Sequence, residues 1–276
     1  MNKGLNGFYS DLIDEQIAAG SQCCLGQLMH KGKFGLMRFE FNIDNQNKDV
    51  YQKKVGEYVT INCSRLLAHL TRVQDYVATE IAFSLRKFLL KNTKKARPFV
   101  LVVGLGNKNM VADSLGARVL ENLLITHNVP ELIKEELGDL AAFLPGVGGQ
   151  TGIATYDILL GVIQKVKPDL IVAIDALTAA DEKRLGCSFQ MSDAGLSPGE
   201  GANNETTFLC AKTVGVPVVA VGVPMMVSSS GICKCNIKNN NIFAPKEVDI
   251  FISKCARTLA IAINLAVHGK VYKDYC

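Results

Sequence analysis

Phe99-Val100-Leu101-Val102-Val103-Gly104-Leu105 is an unbroken apolar run that closes on a glycine turn. A strand with one wet face alternates apolar and polar side chains. A short continuous run rich in valine is the pattern of a strand buried on both faces of a parallel sheet. Leu170-Ile171-Val172-Ala173-Ile174 and Val216-Pro217-Val218-Val219-Ala220-Val221-Gly222-Val223 repeat the pattern, and each run ends at Gly, Asp or Pro. Helical spacing over 113–125 and 153–166 separates the first two runs. The order strand, helix, helix, strand predicts an α/β fold built on a single doubly wound, mostly parallel sheet with helices on both faces.

Working outward, Phe34 to Ile43 and Tyr58 to Cys63 alternate as half-buried strands do and predict an antiparallel ribbon at the N-terminal side. Ser64 is a fitting N-cap for a long helix reaching about Leu90, with Leu66, Leu70, Val73, Val77, Ile81 and Leu85 at three- and four-residue spacing. A basic loop, Lys91 to Arg97, follows it. Near the other end, Pro245 suits a first helical turn and Gly269 a stop, with Val248, Ile252, Leu259 and Ile263 on the core face. The polar stretch Ser228 to Asn241 reads as a surface loop. No internal repeat or low-complexity linker divides the chain, which favours one domain.

The 276 residues are 48% apolar, enough for a continuous core, and carry 30 basic against 26 acidic residues for a net charge of +4. Charges this balanced and scattered give no nucleic-acid or membrane surface. No stretch reaches 18 uncharged apolar residues, and no apolar segment of the signal-peptide kind follows Met1, so a cytosolic location is expected. The nine cysteines are irregularly spaced and several sit inside apolar runs, as reduced, buried thiols do. Cys233-Lys234-Cys235 lacks a second cysteine pair or a paired histidine, and His30, His69, His127 and His268 are far apart, so neither a metal nor a cofactor is expected.

Functional groups in an open α/β sheet gather beyond the carboxyl ends of its strands. Asp113 follows the turn Gly104-Leu105-Gly106-Asn107, Asp175 ends Leu170 to Ile174, and Asp193 ends an expected edge strand in Ser192-Asp193-Ala194-Gly195. Glycine-rich turns accompany them at Gly146-Val147-Gly148-Gly149-Gln150-Thr151-Gly152 and Pro198-Gly199-Glu200-Gly201, where backbone can approach a ligand. Any one aspartate alone reads equally well as a helix cap or an Asx-turn. Gly104-Leu105-Gly106 is not a dinucleotide fingerprint, because Asn109 stands where its third glycine would be, and no P-loop is present. Two carboxylates in a partly dry cleft cannot both ionise easily. One keeps a proton as acid while the other activates water.

In order, Val102-Val103-Gly104-Leu105-Gly106-Asn107, Asp113-Ser114-Leu115-Gly116, Pro145-Gly146-Val147, Gln150-Thr151-Gly152-Ile153, Lys167-Pro168-Asp169, Ile174-Asp175-Ala176-Leu177, Ser192-Asp193-Ala194-Gly195 and Gly215-Val216-Pro217-Val218 form a series. As a series it resembles the germination proteases of spore-forming bacteria, over about 58–227 and again over 245–268. The resemblance implies an aspartic endopeptidase that degrades small acid-soluble spore proteins after glutamate, works as a homotetramer in the forespore or spore core, and is made as a zymogen. Its catalytic pair would be Asp113 and Asp175, with Asn107, Gly148, Gly149 and Asp193 as substrate-binding or supporting residues. Ser10-Asp11-Leu12-Ile13-Asp14-Glu15-Gln16 resembles the family's cleavage pattern. It implies a propeptide over 1–15, self-cleavage between Glu15 and Gln16, and a peptidase domain over 16–276. Two departures stand out: Val111-Ala112 replaces the family's Thr-Pro before Asp113, and the segment between Val227 and Pro245 is short.

Two other readings stand beside this one. Hydrogenase-maturation endopeptidases share a Gly-x-Gly-Asn turn followed by an acidic residue, but they bind a metal with an additional histidine, and no histidine here ends a buried strand. A catalytically silent sporulation protein could keep the fold as a binding module, against which stands the presence of both Asp113 and Asp175.

Overall fold

The computed structural model describes residues 10–19, 26–51, 53–68, 71–197, 208–233 and 241–269. The strands are β1 Gly26–Lys31, β2 Met37–Ile43, β3 Gly56–Asn62, β4 Phe99–Gly104, β5 Asp139–Phe143, β6 Leu170–Ala179, β7 Ser188–Ser192, β8 Val218–Ser228 and β9 Ile242–Phe243. The helices are α1 Ile13–Ala19, α2 Lys48–Tyr51, α3 Thr71–Thr93, α4 Leu115–Leu120, α5 Glu131–Leu137, α6 Gly148–Thr151, α7 Thr155–Val166, α8 Ala211–Val214, α9 Ser229–Cys233 and α10 Val248–His268.

All nine strands join one sheet in the order β1-β2-β3-β7-β8-β6-β4-β5, with β9 pairing the far end of β8. The three apolar runs form its parallel centre: β4 pairs β5 and β6, and β6 pairs β8, all in parallel. Their alternate side chains enter two separate cores. Val100, Val102, Leu170, Val172 and Ile174 pack under α3, α4 and α10. Leu101, Val103, Ile171 and Ala173 pack under α7. Both faces are therefore dry, as the absence of alternation requires.

The N-terminal ribbon is the antiparallel pair β2–β3, and it continues the main sheet, because β3 pairs β7 and β7 pairs β8. The strand expected at an edge is therefore internal. β5, unforeseen, is the true edge beside β4: in Asp139-Leu140-Ala141-Ala142-Phe143 only Leu140 is fully buried, so no apolar run marks it. A 3₁₀ turn over Ser64–Ala68 delays the long helix to Thr71, and α3 runs on to Thr93 through the start of the expected basic loop. The helix expected over 113–125 shortens to α4, because the amides of Thr126 and His127 both donate to Leu140 O and draw the chain onto the sheet edge. α10 stops as read, with Gly269 at φ 72°, but begins at Val248, so Pro245 lies in the turn before the helix, where its carbonyl accepts the Val248 amide at 3.2 Å, rather than in its first turn. By length and composition it could cross a membrane, but Ile252, Cys255, Leu259 and Ile263 are buried against the core. Ser228, Ser229 and Ser230, expected on a surface loop, are buried at the end of β8 and the start of α9.

One close approach fixes the turn after β4. A Cβ on Gly116 would lie 2.6 Å from Leu105 O, and one on Gly104 would lie 2.8 Å from Gly116 O. Only glycine lets α4 rest on the end of β4 at this distance. Alanine is the better helix former by about 1 kcal/mol, but overpacking against immovable backbone costs about 1–3 kcal/mol. Gly116→Ala is expected to lower the unfolding free energy, seen as a lower urea midpoint at an unchanged m-value.

Candidate active site

β4 and β6 end side by side. The Leu105 amide donates to Ile174 O at 2.8 Å, so Asp175 begins where that pairing stops. Alternation along β6 puts Asp175 on the face of Ile171 and Ala173, and its Oδ1 accepts the Ala176 amide at 2.9 Å. Asp113 arrives from the other strand. The chain leaves β4 through Gly106, at φ 92°, and returns in a 3₁₀ turn over Val111–Asp113. A Cβ on Gly106 would lie 2.7 Å from Asp113 Oδ1, so the carboxyl lies directly over the turn. The turn closes without the family's proline: Met110 N donates to Asn107 O at 3.0 Å and Asp113 N to Met110 O at 2.9 Å. Asp113 and Asp175 thus sit at the carboxyl ends of neighbouring parallel strands, where α/β folds place their chemistry.

Asn107 ties this corner together. Its amide donates to Asp113 Oδ2 at 2.7 Å, and its side-chain Oδ1 accepts from Asn109 N at 3.0 Å and from Gln150 Nε2 at 2.8 Å. Gln150 thereby pins the glycine turn of residues 146–152 against the Asp113 turn. Gly148 and Gly149 in that turn are exposed, and a Cβ on Gly149 would meet nothing within 4 Å. The glycines this backbone demands are Gly146 and Gly152, at φ 76° and 70°. The turn at 198–201 lies outside the described residues.

Asp193 is not brought to this corner. β7 runs antiparallel to β8, with Gln190 opposite Gly222 and Ser192 opposite Ala220, so Asp193 lies toward the amino-terminal end of β8. There its carboxylate accepts the Glu57 amide at 2.8 Å and pairs with Lys91 Nζ at 2.8 Å, fastening β3 and β7 to α3. Glu15 and Gln16 lie within α1, which therefore spans the boundary expected between them. Glu15 is buried, with Oε2 accepting the Ala180 amide at 2.7 Å and Oε1 the Asp181 amide at 2.9 Å. Residues 1–9 of the expected propeptide lie outside the described residues.

Gln190 was not foreseen. Its Oε1 accepts the Ile13 amide at 2.7 Å and its Nε2 donates to Asp11 O at 3.1 Å. The sequence did hold a trace of it: Ser188, Gln190 and Ser192 alternate with Phe189 and Met191, which marks a polar face. Among the described residues no three His, Cys, Asp or Glu side chains converge as a metal site. Cys63, Cys187 and Cys255 are buried free thiols, and burial pushes Cys187 up to about 11.

Burial raises the proton affinity of Asp113, and the Asn107 hydrogen bond offsets this only in part. A carboxyl whose folded-state pKa exceeds its unfolded one contributes most to stability in acid and loses that contribution as pH rises through the raised value. Asp113→Asn is therefore expected to melt at or above the parent temperature at neutral pH. The difference should vanish below the ordinary carboxylate range, as thermal melts across pH will read.

The family model described as germination protease matches residues 27–239 of this chain. The germination protease of Caldanaerobacter subterraneus subsp. tengcongensis is 33% identical over 269 residues, covering 82% of each chain. That of Geobacillus sp. (strain WCH70) is 41% identical over 184 residues, covering 65% of this chain and 50% of the relative. That of Bacillus cytotoxicus is 37% identical over 202 residues, covering 72% and 55%. The chain thus spans about half the length of the last two. Among solved structures, the [NiFe] hydrogenase maturation protease HycI from Thermococcus kodakarensis KOD1 is 21% identical with a TM-score of 0.37, covering 65% of this chain and 98% of that one, a likeness too low to carry an argument. On the extent of the family match, the chain belongs to the germination protease family.

Proposed function

We propose that this chain is an aspartic-type endopeptidase that hydrolyses small acid-soluble spore proteins after glutamate, working as a homo-oligomer, a tetramer on the family pattern, in the cytoplasm of the forespore or the spore core. The observation that carries the reading is the pair of carboxylates at the ends of β4 and β6, within a chain of this family. Burial supports Asp113 as the member that holds the proton. Asp175, with the Ala176 N–H on its Oδ1, is the base. Asp175 takes a proton from water as the water oxygen attacks the scissile carbonyl carbon, and Asp113 gives its proton to the carbonyl oxygen. The tetrahedral intermediate then collapses, the C–N bond breaks, the amine leaves with a proton from Asp175, and the hydroxyl proton returns to Asp113.

Either Asp113→Asn or Asp175→Asn is expected to lower turnover of a small acid-soluble spore protein by at least ~100-fold while the melting profile stays cooperative. Near-normal turnover of either variant removes the dyad. Because Asp113 must be protonated, activity should fall as pH rises through its raised pKa, and a rate that climbs across that range counts against Asp113 as the acid. Chelators are expected to leave the rate unchanged, whereas clear inhibition favours the metal-dependent maturation reading. In this fold His127 and His268 lie at the amino-terminal end of β5, against Asp139 and Leu137 O. Binding of the spore protein with no turnover would favour the silent binding module.

Self-processing between Glu15 and Gln16 belongs to the same proposal. The bond lies in α1, so the first turn of that helix has to open before an extended backbone can be presented. Acid should promote the cut by populating the singly protonated dyad. Protein held at mildly acidic pH is expected to show a new N-terminus at Gln16 by mass spectrometry. A chain that stays full length, or is trimmed only elsewhere, overturns self-processing and leaves the dyad standing.

A further inference from the structure

The carboxyl ends of β5 and β4 lie side by side, with Val103 paired to Phe143, so the chain leaving β5 through Leu144 and Pro145 comes up next to the Asp113 turn. There it forms the glycine turn of residues 146–152, whose backbone is bonded largely to itself. Gln150 N and Thr151 N both donate to Val147 O, at 2.9 and 3.1 Å, and Gly152 N donates to Gly148 O at 2.9 Å. Thr155 Oγ1, from the start of α7, donates to Gly146 O at 3.2 Å. These bonds shape the turn without fixing it against the end of β4. Among the described residues, the side-chain bond that crosses between the two turns runs from Gln150 Nε2 to Asn107 Oδ1, at 2.8 Å.

Asn107 meets Asp113 through its backbone, the amide donating to Asp113 Oδ2 at 2.7 Å. That N–H belongs to the peptide that follows Gly106, and Gly106 stands at φ 92°. Glycine leaves its peptides freer to turn than any other residue does. A turned peptide would point the N–H away from the carboxylate. Proline ahead of Asp113 would stiffen the turn, but Val111 and Ala112 stand there. The restraint comes instead from the Asn107 side chain, whose Oδ1 has two lone pairs to offer. One takes Asn109 N at 3.0 Å, an Asx-turn that closes on its own loop, and the other takes Gln150 Nε2. With both filled, Asn107 cannot rotate, nor its amide leave Asp113, without breaking a further bond.

We propose that Gln150 is a positioning residue for Asp113, its carboxamide acting through the Asn107 side chain to keep the Asn107 amide on the Asp113 carboxyl. The inference rests on the aspartic reading of Asp113 and adds to it a residue that acts at one remove. Gln150 is exposed, and so is its bond to Asn107. A hydrogen bond that water can replace adds little to global stability. Its effect falls on geometry, where a displacement of about 1 Å can lower a rate by ~100-fold. A carboxyl that has drifted from its place still lets substrate bind. The loss on breaking the bond therefore belongs to kcat and not to KM.

The test is steady-state kinetics on the full chain, with a small acid-soluble spore protein as substrate. Gln150→Met keeps the length of the side chain and removes its donor. Its kcat is expected to fall by about tenfold or more, with KM within about twofold of the parent value and the melting temperature close to the parent's. Asn107→Ala keeps the backbone amide and removes Oδ1, so it should lose a similar factor, and the double variant should be no worse than either single one. A parent-like kcat in Gln150→Met, a loss carried by KM alone, or losses that multiply in the double variant overturn the proposal. A second readout needs no turnover. Hydrogen exchange of the Asn107 amide should speed up by about fivefold or more in Gln150→Met, while the Leu105 amide, bonded to Ile174 O, exchanges as in the parent. Unchanged exchange at Asn107 overturns the proposal, whatever the kinetics. Asp113→Asn, run in parallel, keeps the two claims apart. Turnover that survives it sinks the dyad and the positioning role with it, whereas an inactive Asp113→Asn chain beside a fully active Gln150→Met chain sinks the role of Gln150 alone.

Discussion

The Leu105 amide bonded to Ile174 O closes the parallel pairing of β4 and β6, and the placement of every candidate group depends on it. It brings the Gly106 turn level with Asp175 and lets the chain fold Asp113 back over that turn. It also fixes the register of the β6 row that continues through Gly222 and Gln190 to Thr60. A one-residue slip of β6 would send Asp175 to the face of α3 and α10 and break the row it shares with Gly222 and Gln190. Gly104 and Gly116 guard that register from the helix side, since no Cβ fits between α4 and the end of β4.

Aspartates of similar local sequence end up with different physics because the ends of the sheet differ. Asp193, its side chain largely buried, has Lys91 Nζ at 2.8 Å and the Glu57 amide on its carboxylate, and it works as a fastener between β3, β7 and α3. Asp113 is held by a backbone amide from Asn107, and burial favours its proton. Read from sequence, both are aspartates after a strand-like run. What separates them is the direction of the strand: β7 runs against β8 and carries Asp193 away from the corner where β4 and β6 end.

The parallel centre was legible because burial on both faces leaves a signal inside each strand, as in Phe99–Gly104 and Leu170–Ile174. Asp113 and Asp175 were legible because the ends of such strands are where to look. β5 left no signal, being a half-buried edge of alanines. β7 misled because its polar side chains suggest an edge facing water, whereas their cover comes from residues more than 170 positions earlier, as the Ile13–Gln190 bond shows. No local period encodes such a contact. The same gap hid the docking of Leu12 and Ile13, which are fully buried in a segment whose composition suggests a loose terminus.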